Sequence, residues 1–297
     1  MRILHLDSGK EMRGGQWQVL RLAAGLAREG VESVLLAPAG SSLSQRAVEA
    51  GLAVRPLSLL ALARCSREAD LTHAHDARCH TWAAALSTAP LIVARRVAFP
   101  IRSRWKYARA ARYIAISQNV RGVLIAGGVP EEKIDVVYDG VPLPPPGRAL
   151  RGADFAVVAP ASEDPQKGSD LVREAAGMIP IGVHFSSDLE ADLARASLFV
   201  YLTRSEGLGS GVLLAMAAGV PVIASRVGGL PEILSHGENG WLTPNDPAAV
   251  AEAIRTLLED RALAQRLAAA GRRTVEERFT VETMVRQTIA VYRRVLA

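Results

Sequence analysis

Short apolar runs alternate with amphipathic segments along the first half of the chain. The runs are rich in Val, Ile and Leu and predict buried strands, and the segments between them predict helices. The predicted strands are Ile3–Asp7, Val34–Ala37, Val54–Leu57, Leu71–His75, Leu91–Ala94, Tyr113–Ile116 and Ile134–Tyr138. The predicted helices are Gln16–Glu29, Leu43–Ala50, Thr81–Leu86, Trp105–Ala111 and Val120–Ala126. This alternation predicts an α/β fold whose parallel sheet is covered by helices on both faces.

A proline-rich stretch, VPLPPPGR at residues 141–148, interrupts the pattern. Such a composition is typical of a stiff, extended connection, so we predict a domain boundary within 141–152, with domains at 1–146 and 147–279. Strands are predicted again at Phe155–Ala159, Ile181–Phe185, Ser197–Leu202 and Pro221–Ser225, with a long helix over Asp246–Ala270. The last segment, 280–297, predicts a helix with one apolar face, formed by Val281, Met284, Val285, Ile289 and Tyr292.

Length and composition agree with a globular protein of two domains. The chain has 297 residues, of which 49% are hydrophobic, and each half is long enough to bury its own core. No apolar run approaches the roughly 20 residues that cross a membrane, and the N-terminus predicts a first strand instead of a signal peptide. The two cysteines, Cys65 and Cys79, do not make a disulfide framework. We therefore expect a cytoplasmic protein.

The richest candidate for chemistry is the stretch TRSEGLGSGVLLAMAAGVPVIASRVGGLP at residues 203–231. A lone acid, Glu206, opens a glycine-rich turn that leads from a strand into a helix over Val212–Ala218. Glycines let the backbone approach a ligand, and the first turn of a helix offers unpaired N–H groups and partial positive charge. The combination suits a phosphate or a sugar hydroxyl, although an ordinary strand–loop–helix packing unit is equally consistent with it.

The order of motifs here resembles the donor site of glycosyltransferase family 4. Glu206-Gly-x-Gly is followed by a small-residue helix, then by Gly219-x-Pro221-Val222, Gly228-Gly229, Pro231-Glu232 and Gly237-x-Asn239-Gly240. The resemblance implies the GT-B fold, in which two Rossmann-like domains face each other across a cleft and a C-terminal helix crosses back to the first domain. It also implies retaining transfer from a sugar nucleotide, with the acceptor on the first domain and the donor on the second.

The resemblance further implies roles for residues of the second domain. Glu206 is expected to be catalytic by orienting the donor sugar. Donor binding is expected from Lys167, Gly207, Leu208, Gly209, Ser210, Gly211 and Leu214. Two positions depart from the family pattern, because Ala161 stands where a phosphate-binding arginine is common and Leu214 stands where a second glutamate holds the ribose. Leucine accepts no hydrogen bond, so either the ribose is held by other groups, or the affinity for the donor is weaker, or the site no longer catalyses the reaction.

Glycines also open the first predicted helix, where Gly14 and Gly15 resemble the family's N-terminal loop facing the donor phosphates. The alternative is a flexible connection between a strand and a helix. Two departures occur nearby: Gln16-Trp17-Gln18 follows where the family often has an acid, and Asp139 stands in the hinge-like segment 137–141 where asparagine is common.

Histidines cluster at the end of the fourth predicted strand, in the segment His73-Ala74-His75-Asp76-Ala77-Arg78-Cys79-His80. A metal site, structural histidines and a ligand-facing histidine are all open. If the strand continues through His73 and His75, we expect their rings on opposite faces, which disfavours a shared metal ion. The resemblance favours a histidine beside the transferring oxygen, and we choose His75 as the catalytic candidate because it is nearer the loop.

A basic segment follows, since no acidic residue occurs between Asp76 and Glu131. Arg95, Arg96 and Arg102 are the candidates for contact with an anionic acceptor. Trp105 and Tyr107 lie among these charges, which also suits peripheral contact with anionic lipid on the inner face of the membrane. A merely solvated charged surface is the alternative, and no motif supports nucleic-acid binding.

Together these features predict a retaining, metal-independent hexosyltransferase. It would move a sugar from a UDP- or GDP-sugar to a glycan or lipid-linked acceptor, as in the synthesis of bacterial envelope polysaccharide or lipopolysaccharide, without a further cofactor. The alternatives are a degenerate nucleotide- or sugar-binding protein of the same fold and a sugar-nucleotide epimerase or hydrolase.

Overall fold

The computed structural model describes residues 1–145 and 155–297. The chain divides into two compact units, Met1–Gly140 with Val281–Ala297, and Val141–Thr280. The junction predicted between residues 146 and 147 lies outside the described residues.

The first unit is an α/β layer structure around a parallel sheet. Its strands are β1 (Arg2–Leu6), β2 (Glu32–Ala37), β3 (Ala53–Pro56), β4 (Leu71–Ala74), β5 (Leu91–Arg95), β6 (Arg112–Ala115) and β7 (Ile134–Val136). Within the described residues they form one sheet in the order β3-β2-β1-β4-β5-β6-β7. Its helices are α1 (Gly14–Arg28), α2 (Ser42–Glu49), α3 (Leu59–Cys65), α4 (Ala77–Leu86), α5 (Arg104–Arg109) and α6 (Gln118–Ala126). Every strand predicted in this half is present to within a few residues at either end.

The last helix of the chain, α13 (Val281–Leu296), belongs to this first unit. Its apolar face joins the core formed by Ile3 of β1 and Leu22 of α1, and Tyr292 is fully buried there. A side chain at Gly25 of α1 would collide with Val285, so this glycine lets the two helices pack closely. The prediction that the C-terminal helix returns to the first domain is confirmed.

The second unit repeats the architecture with a smaller sheet. Its strands are β8 (Val157–Pro160), β9 (Val183–Ser186), β10 (Phe199–Tyr201), β11 (Val222–Ser225) and β12 (Trp241–Thr243). The described strands are parallel and run in the order β12-β11-β10-β8-β9. Its helices are α7 (Ser169–Ala176), α8 (Leu189–Leu193), α9 (Ser210–Ala217), α10 (Leu230–Ile233), α11 (Pro247–Glu259) and α12 (Arg261–Arg278). The predicted α/β fold with two Rossmann-like domains is confirmed.

Three local predictions were wrong or incomplete. The helix predicted over Asp246–Ala270 is two helices, because Asp260 leaves helical geometry and its side chain caps α12 by accepting a hydrogen bond from the Leu263 N–H at 2.9 Å. The strand Trp241–Thr243 and the helix Leu59–Cys65 were not predicted. Both are short: the strand has three residues and the helix has seven, which are too few for a periodic hydrophobic pattern to be recognised, and pairing of β12 with β11 decides the strand.

Cys65 and Cys79 are buried free thiols. Burial raises the pKa of the Cys79 thiol well above its ordinary value, with a further contribution from the charge of Asp76. Among helices of the described ranges, 1–145 and 155–297, none combines the length and the apolar character needed to cross a membrane.

Candidate functional site

The carboxyl edge of the second sheet brings two predicted donor residues together. Lys167 follows β8 and Glu206 follows β10, and parallel strands place both loops at the same edge. The Lys167 Nζ lies 3.1 Å from Glu206 Oε2. The Tyr201 hydroxyl donates to the same oxygen at 2.5 Å, and the Gly207 N–H donates to Glu206 Oε1 at 3.0 Å. Three donors, from two loops and from the end of β10, therefore surround one carboxylate.

Lys167 is held in place by its neighbours in sequence and by the Glu206 loop. It ends a 3-10 turn, Pro165–Lys167, which Asp164 caps by accepting from the Gln166 N–H at 2.9 Å. Gly168 then adopts a left-handed conformation with φ of 61°, and a Cβ there would lie 2.9 Å from the backbone of Leu202. The Gln166 carbonyl accepts from the Arg204 N–H at 2.8 Å and from the Thr203 hydroxyl at 2.9 Å. The two loops thus form one hydrogen-bonded body.

The Gly228-Gly229 turn after β11 supports the Glu206 loop by direct backbone contact. A Cβ at Gly228 would collide with the carbonyl oxygen of Glu206, and a Cβ at Gly229 would collide with that of Gly207. The Gly229 N–H donates to the Glu206 carbonyl at 3.2 Å. The glycines of the second motif are therefore required for packing against the first.

The helices at these loops start without a side-chain cap. α1, α7 and α9 follow Arg13, Gly168 and Gly209, none of which provides a capping hydrogen bond from its side chain. By contrast, side chains cap many other helices of the structure: Ser41, Ser58, Asp76, Ser117, Asp188, Asp246 and Asp260. An uncapped helix start keeps N–H groups and partial positive charge for a ligand.

The remaining predicted donor residues occupy these helix starts. Gly14 and Gly15 form the first turn of α1, and Ser210, Gly211 and Leu214 lie on α9. Leu208 is fully buried, so only its backbone is available to a ligand. The structure therefore puts the predicted glycine loops at the carboxyl edges of both sheets, one in each unit.

In the first unit, His75 lies inside a cluster of buried histidines. His5 of β1, His73 of β4 and His75 are all at most 4% exposed, and the rings of His73 and His75 have centroids 4.1 Å apart. The prediction of opposite faces was wrong, because side chains two residues apart along a strand point to the same side. The His5 Nδ1 and His75 Nε2 are 3.0 Å apart, and the Tyr292 hydroxyl is 2.6 Å from His73 Nδ1.

Burial keeps these imidazoles neutral. It lowers the pKa of His5 to about 3, and it lowers the pKa of His73 and His75 well below the usual range, with smaller contributions from the neighbouring histidines and Arg96. Among the described residues, His5 Nε2, His73 Nε2 and His75 Nδ1 have no hydrogen-bond partner. The cluster is thus a polar interior with unpaired ring nitrogens.

One ring nitrogen of each histidine lies within 4.8 Å of the other two, so these residues are the candidate ligands for a metal ion. However, the hydrogen bond between His5 Nδ1 and His75 Nε2 uses one proton, and each neutral ring carries one proton. Whichever ring donates, the other ring therefore carries its proton on the nitrogen outside the bond, either His5 Nε2 or His75 Nδ1, and that nitrogen cannot bind a metal ion. A three-histidine site therefore requires that bond to break, and the positive charge of Arg96 opposes a cation beside His73 and His75. The geometry favours a hydrogen-bonded group of neutral histidines.

The three predicted arginines differ in their surroundings. Arg96 forms an ion pair with Asp139, and both side chains are largely buried. Arg95 donates to the Phe99 carbonyl, whereas Arg102 is exposed. Phe99 and Trp105, at 57% and 48% exposed, lie in the same segment. Exposed cationic and aromatic side chains therefore occur together in residues 99–105.

Four functional or supporting residues were missed in the sequence. Tyr201 and Arg204 support Glu206 and Lys167, and Asp139 pairs with Arg96. Asp7 accepts from the Gly9 N–H at 2.8 Å and from the Gln16 amide at 3.0 Å, and burial raises its pKa. Their shared signal is a polar residue at or just after the end of a predicted strand. Two of the four departures from the family pattern, Gln16 and Asp139, each have a charged partner here, Asp7 and Arg96.

Two family models match overlapping stretches of the chain. The model described as Glycosyltransferase Family 4 matches residues 12–143, and the model described as Glycosyl transferases group 1 matches residues 117–260. Together the two models match residues 12–260, and they support a glycosyltransferase of family 4 type. Lys167 and Glu206 both lie in the second matched stretch, and Gly14, Gly15 and His75 lie in the first.

The curated relatives match only part of this chain. N-acetyl-alpha-D-glucosaminyl L-malate synthase of Bacillus anthracis is 39% identical over 105 residues, which are 35% of this chain and 28% of the relative. Alpha-maltose-1-phosphate synthase of Mycobacterium tuberculosis is 34% identical over 137 residues, 43% of this chain and 35% of the relative. The matches thus span about a third of the length of these relatives.

Solved structures resemble the chain over nearly its whole length. Anabaena HepE in complex with UDP and glucose superposes with a TM-score of 0.86 and 19% identity, covering 97% of this chain and 98% of HepE. Sucrose-phosphate synthase from Thermosynechococcus elongatus superposes with a TM-score of 0.80 and 19% identity, covering 99% and 98%. These solved structures share the GT-B fold with the present chain.

Proposed function

We propose that this chain is a retaining glycosyltransferase that moves a hexose from a UDP- or GDP-sugar to a glycan or lipid-linked acceptor. The observation that carries the proposal is the convergence of Lys167, Tyr201 and the Gly207 N–H on Glu206, beside the uncapped start of α9. A sugar nucleotide matches that arrangement, because its diphosphate needs cationic donors and its sugar needs a hydrogen-bond acceptor.

In this proposal the donor exchanges partners with the existing ion pair. The Lys167 side chain is 40% exposed, so its ammonium can leave Glu206 and reach a diphosphate. Backbone N–H groups at the starts of α7 and α9 would add to it as negative charge grows on the leaving group. Such preorganised donors are worth most where water is excluded. Glu206 would then be free to accept hydrogen bonds from the sugar hydroxyls.

The proposed chemistry is a same-face displacement. The bond between the anomeric carbon and the diphosphate oxygen breaks, the acceptor oxygen bonds to that carbon from the same side, and the acceptor proton passes to the departing diphosphate. Lys167 and the helix N–H groups supply the positive charge, so the proposal requires no metal ion. His75 remains the proposed catalytic residue beside the oxygen that bonds to the sugar. Its ring is buried and is held by contacts with His5 and His73, which fix its orientation.

On the acceptor side, we propose that the exposed segment at 99–105 contacts an anionic acceptor or anionic lipid. Arg102 supplies charge, and Phe99 and Trp105 supply apolar area. A lipid-linked acceptor in envelope polysaccharide or lipopolysaccharide synthesis suits such a surface, as does a peripheral position on the inner face of the membrane. Arg95 and Arg96 would line the inner side of the same basic segment.

A degenerate binding protein is the second candidate, and a specific observation supports it. Leu214 is only partly buried on α9, so an apolar side chain stands where the family pattern expects a glutamate that holds the ribose. Ala161 likewise provides no charge for the diphosphate. Both candidates predict nucleotide binding, and only the first predicts turnover.

The experiment is a thermal-shift screen against UDP, GDP, ADP, CMP and dTDP and their common sugar conjugates, followed by measurement of donor consumption and sugar transfer. UDP-glucose is the first donor to test, because HepE has been crystallised with it. We expect a selective shift with one nucleotide, lost in Lys167→Met and retained in the control Lys133→Met. Transfer should be lost in Glu206→Gln. Nucleotide binding without turnover in the wild-type protein would favour the degenerate protein, and no binding would contradict both candidates.

A further inference from the structure

Tyr201 is the last residue of β10 and lies outside the glycine motifs assigned to donor binding. Its side chain is almost entirely buried, and its hydroxyl donates to Glu206 Oε2 at 2.5 Å. It contributes directly to the geometry of Glu206.

The donors to Glu206 differ in mobility. Lys167 approaches Oε2 on a long, partly exposed side chain, whereas Tyr201 is packed inside the sheet and the Gly207 N–H is part of the loop backbone. When Lys167 turns to a diphosphate, Tyr201 and Gly207 still hold one carboxylate oxygen each. The orientation of Glu206 in the ligand-bound state therefore depends on Tyr201 at Oε2 and on the Gly207 N–H at Oε1, and Tyr201 is the one of these two donors that a side-chain substitution can remove.

Tyr201 is also a permanent hydrogen-bond donor. Burial raises the pKa of its hydroxyl well above the ordinary value, and the negative charge of Glu206 raises it further. The hydroxyl consequently stays protonated at neutral pH.

The neighbouring glycine leaves the space that the ring occupies. A Cβ at Gly211 of α9 would lie 3.3 Å from Tyr201 Cε2, which is tighter than an ordinary contact. The absence of a side chain at Gly211 thus lets the ring of Tyr201 pack against the start of α9. This packing role is separate from the predicted contact of the Gly211 backbone with the donor.

We propose that Tyr201 is a positioning residue that fixes the Glu206 carboxylate in the orientation that accepts hydrogen bonds from the donor's sugar. This inference rests on the proposed function, because it assumes that Glu206 binds the sugar of a sugar nucleotide. It assigns to Tyr201 an effect on the sugar that is separate from the binding of the nucleotide.

The test is Tyr201→Phe, which removes the hydroxyl and keeps the ring. Affinities are measured for the pair that the wild-type protein binds, UDP with UDP-glucose or GDP with GDP-mannose, together with kcat and KM for the sugar nucleotide. A hydrogen bond to a charged group predicts a loss of about ten- to a hundredfold in kcat/KM for the sugar nucleotide. Affinity for the nucleotide alone should change less than about twofold, because Lys167 and the helix starts are intact.

Two further variants separate positioning from general stability. Tyr113→Phe removes a buried hydroxyl that donates to the Tyr107 carbonyl at 2.7 Å in the first unit, and it should leave the ratio of the two affinities unchanged. In a Glu206→Ala background, which leaves no side-chain acceptor at this position, Tyr201→Phe should lower sugar-nucleotide affinity no further, because Tyr201 acts through Glu206.

Equal losses for nucleotide and sugar nucleotide, or an unchanged ratio in Tyr201→Phe, would overturn the role of Tyr201 while leaving the proposed function intact. An additional loss in the Glu206→Ala background would overturn action through Glu206. Failure of the wild-type protein to bind any nucleotide would instead remove the proposed function, and the inference with it.

Discussion

The polar groups at the carboxyl edges of the two sheets differ in whether they have hydrogen-bond partners. In the second unit, both oxygens of Glu206 have partners, and the supporting loops bond to each other through their backbones. In the first unit, the edge holds buried histidines and arginines, and several of their nitrogens have no partner among the described residues. Buried polar groups without partners are rare and costly in folded proteins. The second edge is a preformed hydrogen-bonded arrangement around Glu206, whereas the first edge keeps buried nitrogens without partners among the described residues.

Among the substitutions that test this difference, loss of Arg96 should reduce the stability of the protein most. Arg96→Met leaves Asp139 buried without its cation, and breaking a buried pair in this way costs about 3–5 kcal/mol of unfolding free energy. The matched control is Arg121→Met, which breaks the more exposed pair with Glu131 and should cost at most about 1 kcal/mol. Denaturant unfolding measures both. Equal, small losses would show that Arg96 is not structural and would return it to the acceptor candidates.

Gly229→Ala should damage the preformed edge next most strongly. The new Cβ would collide with the Gly207 carbonyl, so the Glu206 loop has to move, at a cost of about 3 kcal/mol. Gly182→Ala is the control, because a Cβ there meets nothing within 4 Å. We expect the first variant to lower both the melting temperature and nucleotide affinity. A Gly229→Ala protein that keeps full affinity would contradict the rigid, preformed loop.

Acidification should destabilise the first unit by a smaller amount per group. A histidine of the unfolded chain takes up a proton below pH 6.5, whereas His5 of the folded protein does so only near its pKa of about 3. The contribution of neutral His5 to folding stability is therefore complete above pH 6.5 and is lost as the pH falls toward 3. At pH 5 each such histidine costs about 2 kcal/mol. His5→Gln should therefore reduce the drop in stability between pH 7 and pH 5, and exposed His236→Gln should not. Identical pH profiles for all three proteins would contradict a neutral histidine cluster.

Arg102→Ala should have the smallest effect on stability, within about 0.5 kcal/mol, because the side chain is exposed. Its effect should be on binding to vesicles containing phosphatidylserine, where one cation contributes about 1 kcal/mol, or roughly fivefold in affinity. The control is Arg261→Ala, an exposed arginine of the second unit. Equal binding of the wild-type protein to neutral and anionic vesicles would rule out the proposed electrostatic contact.

Prediction from sequence succeeded where a pattern is local and repeated. The strands of the first unit follow from runs of apolar residues, and the glycine loops at Gly14, Gly15 and Gly207–Gly211 follow from their place between a strand and a helix. It failed where a segment is too short to show a periodic pattern, as at β12, and where a single residue ends one helix and begins the next, as at Asp260 between α11 and α12. Pairing partners and helix caps decide such elements, and neither is visible in a hydrophobic pattern.

By itself, the sequence determined the α/β fold class and the glycine-rich loops that follow predicted strands, because apolar periodicity and glycine spacing are properties of consecutive residues. The return of the C-terminal helix and the roles of Lys167 and Glu206 came from the resemblance to glycosyltransferase family 4. Only the tertiary structure decided which side chains meet. The Lys167–Glu206 pair joins residues 39 positions apart, Arg96–Asp139 joins residues 43 apart, and His73–Tyr292 joins residues 219 apart. Strand order and register create these contacts, and spacing along the chain does not encode them.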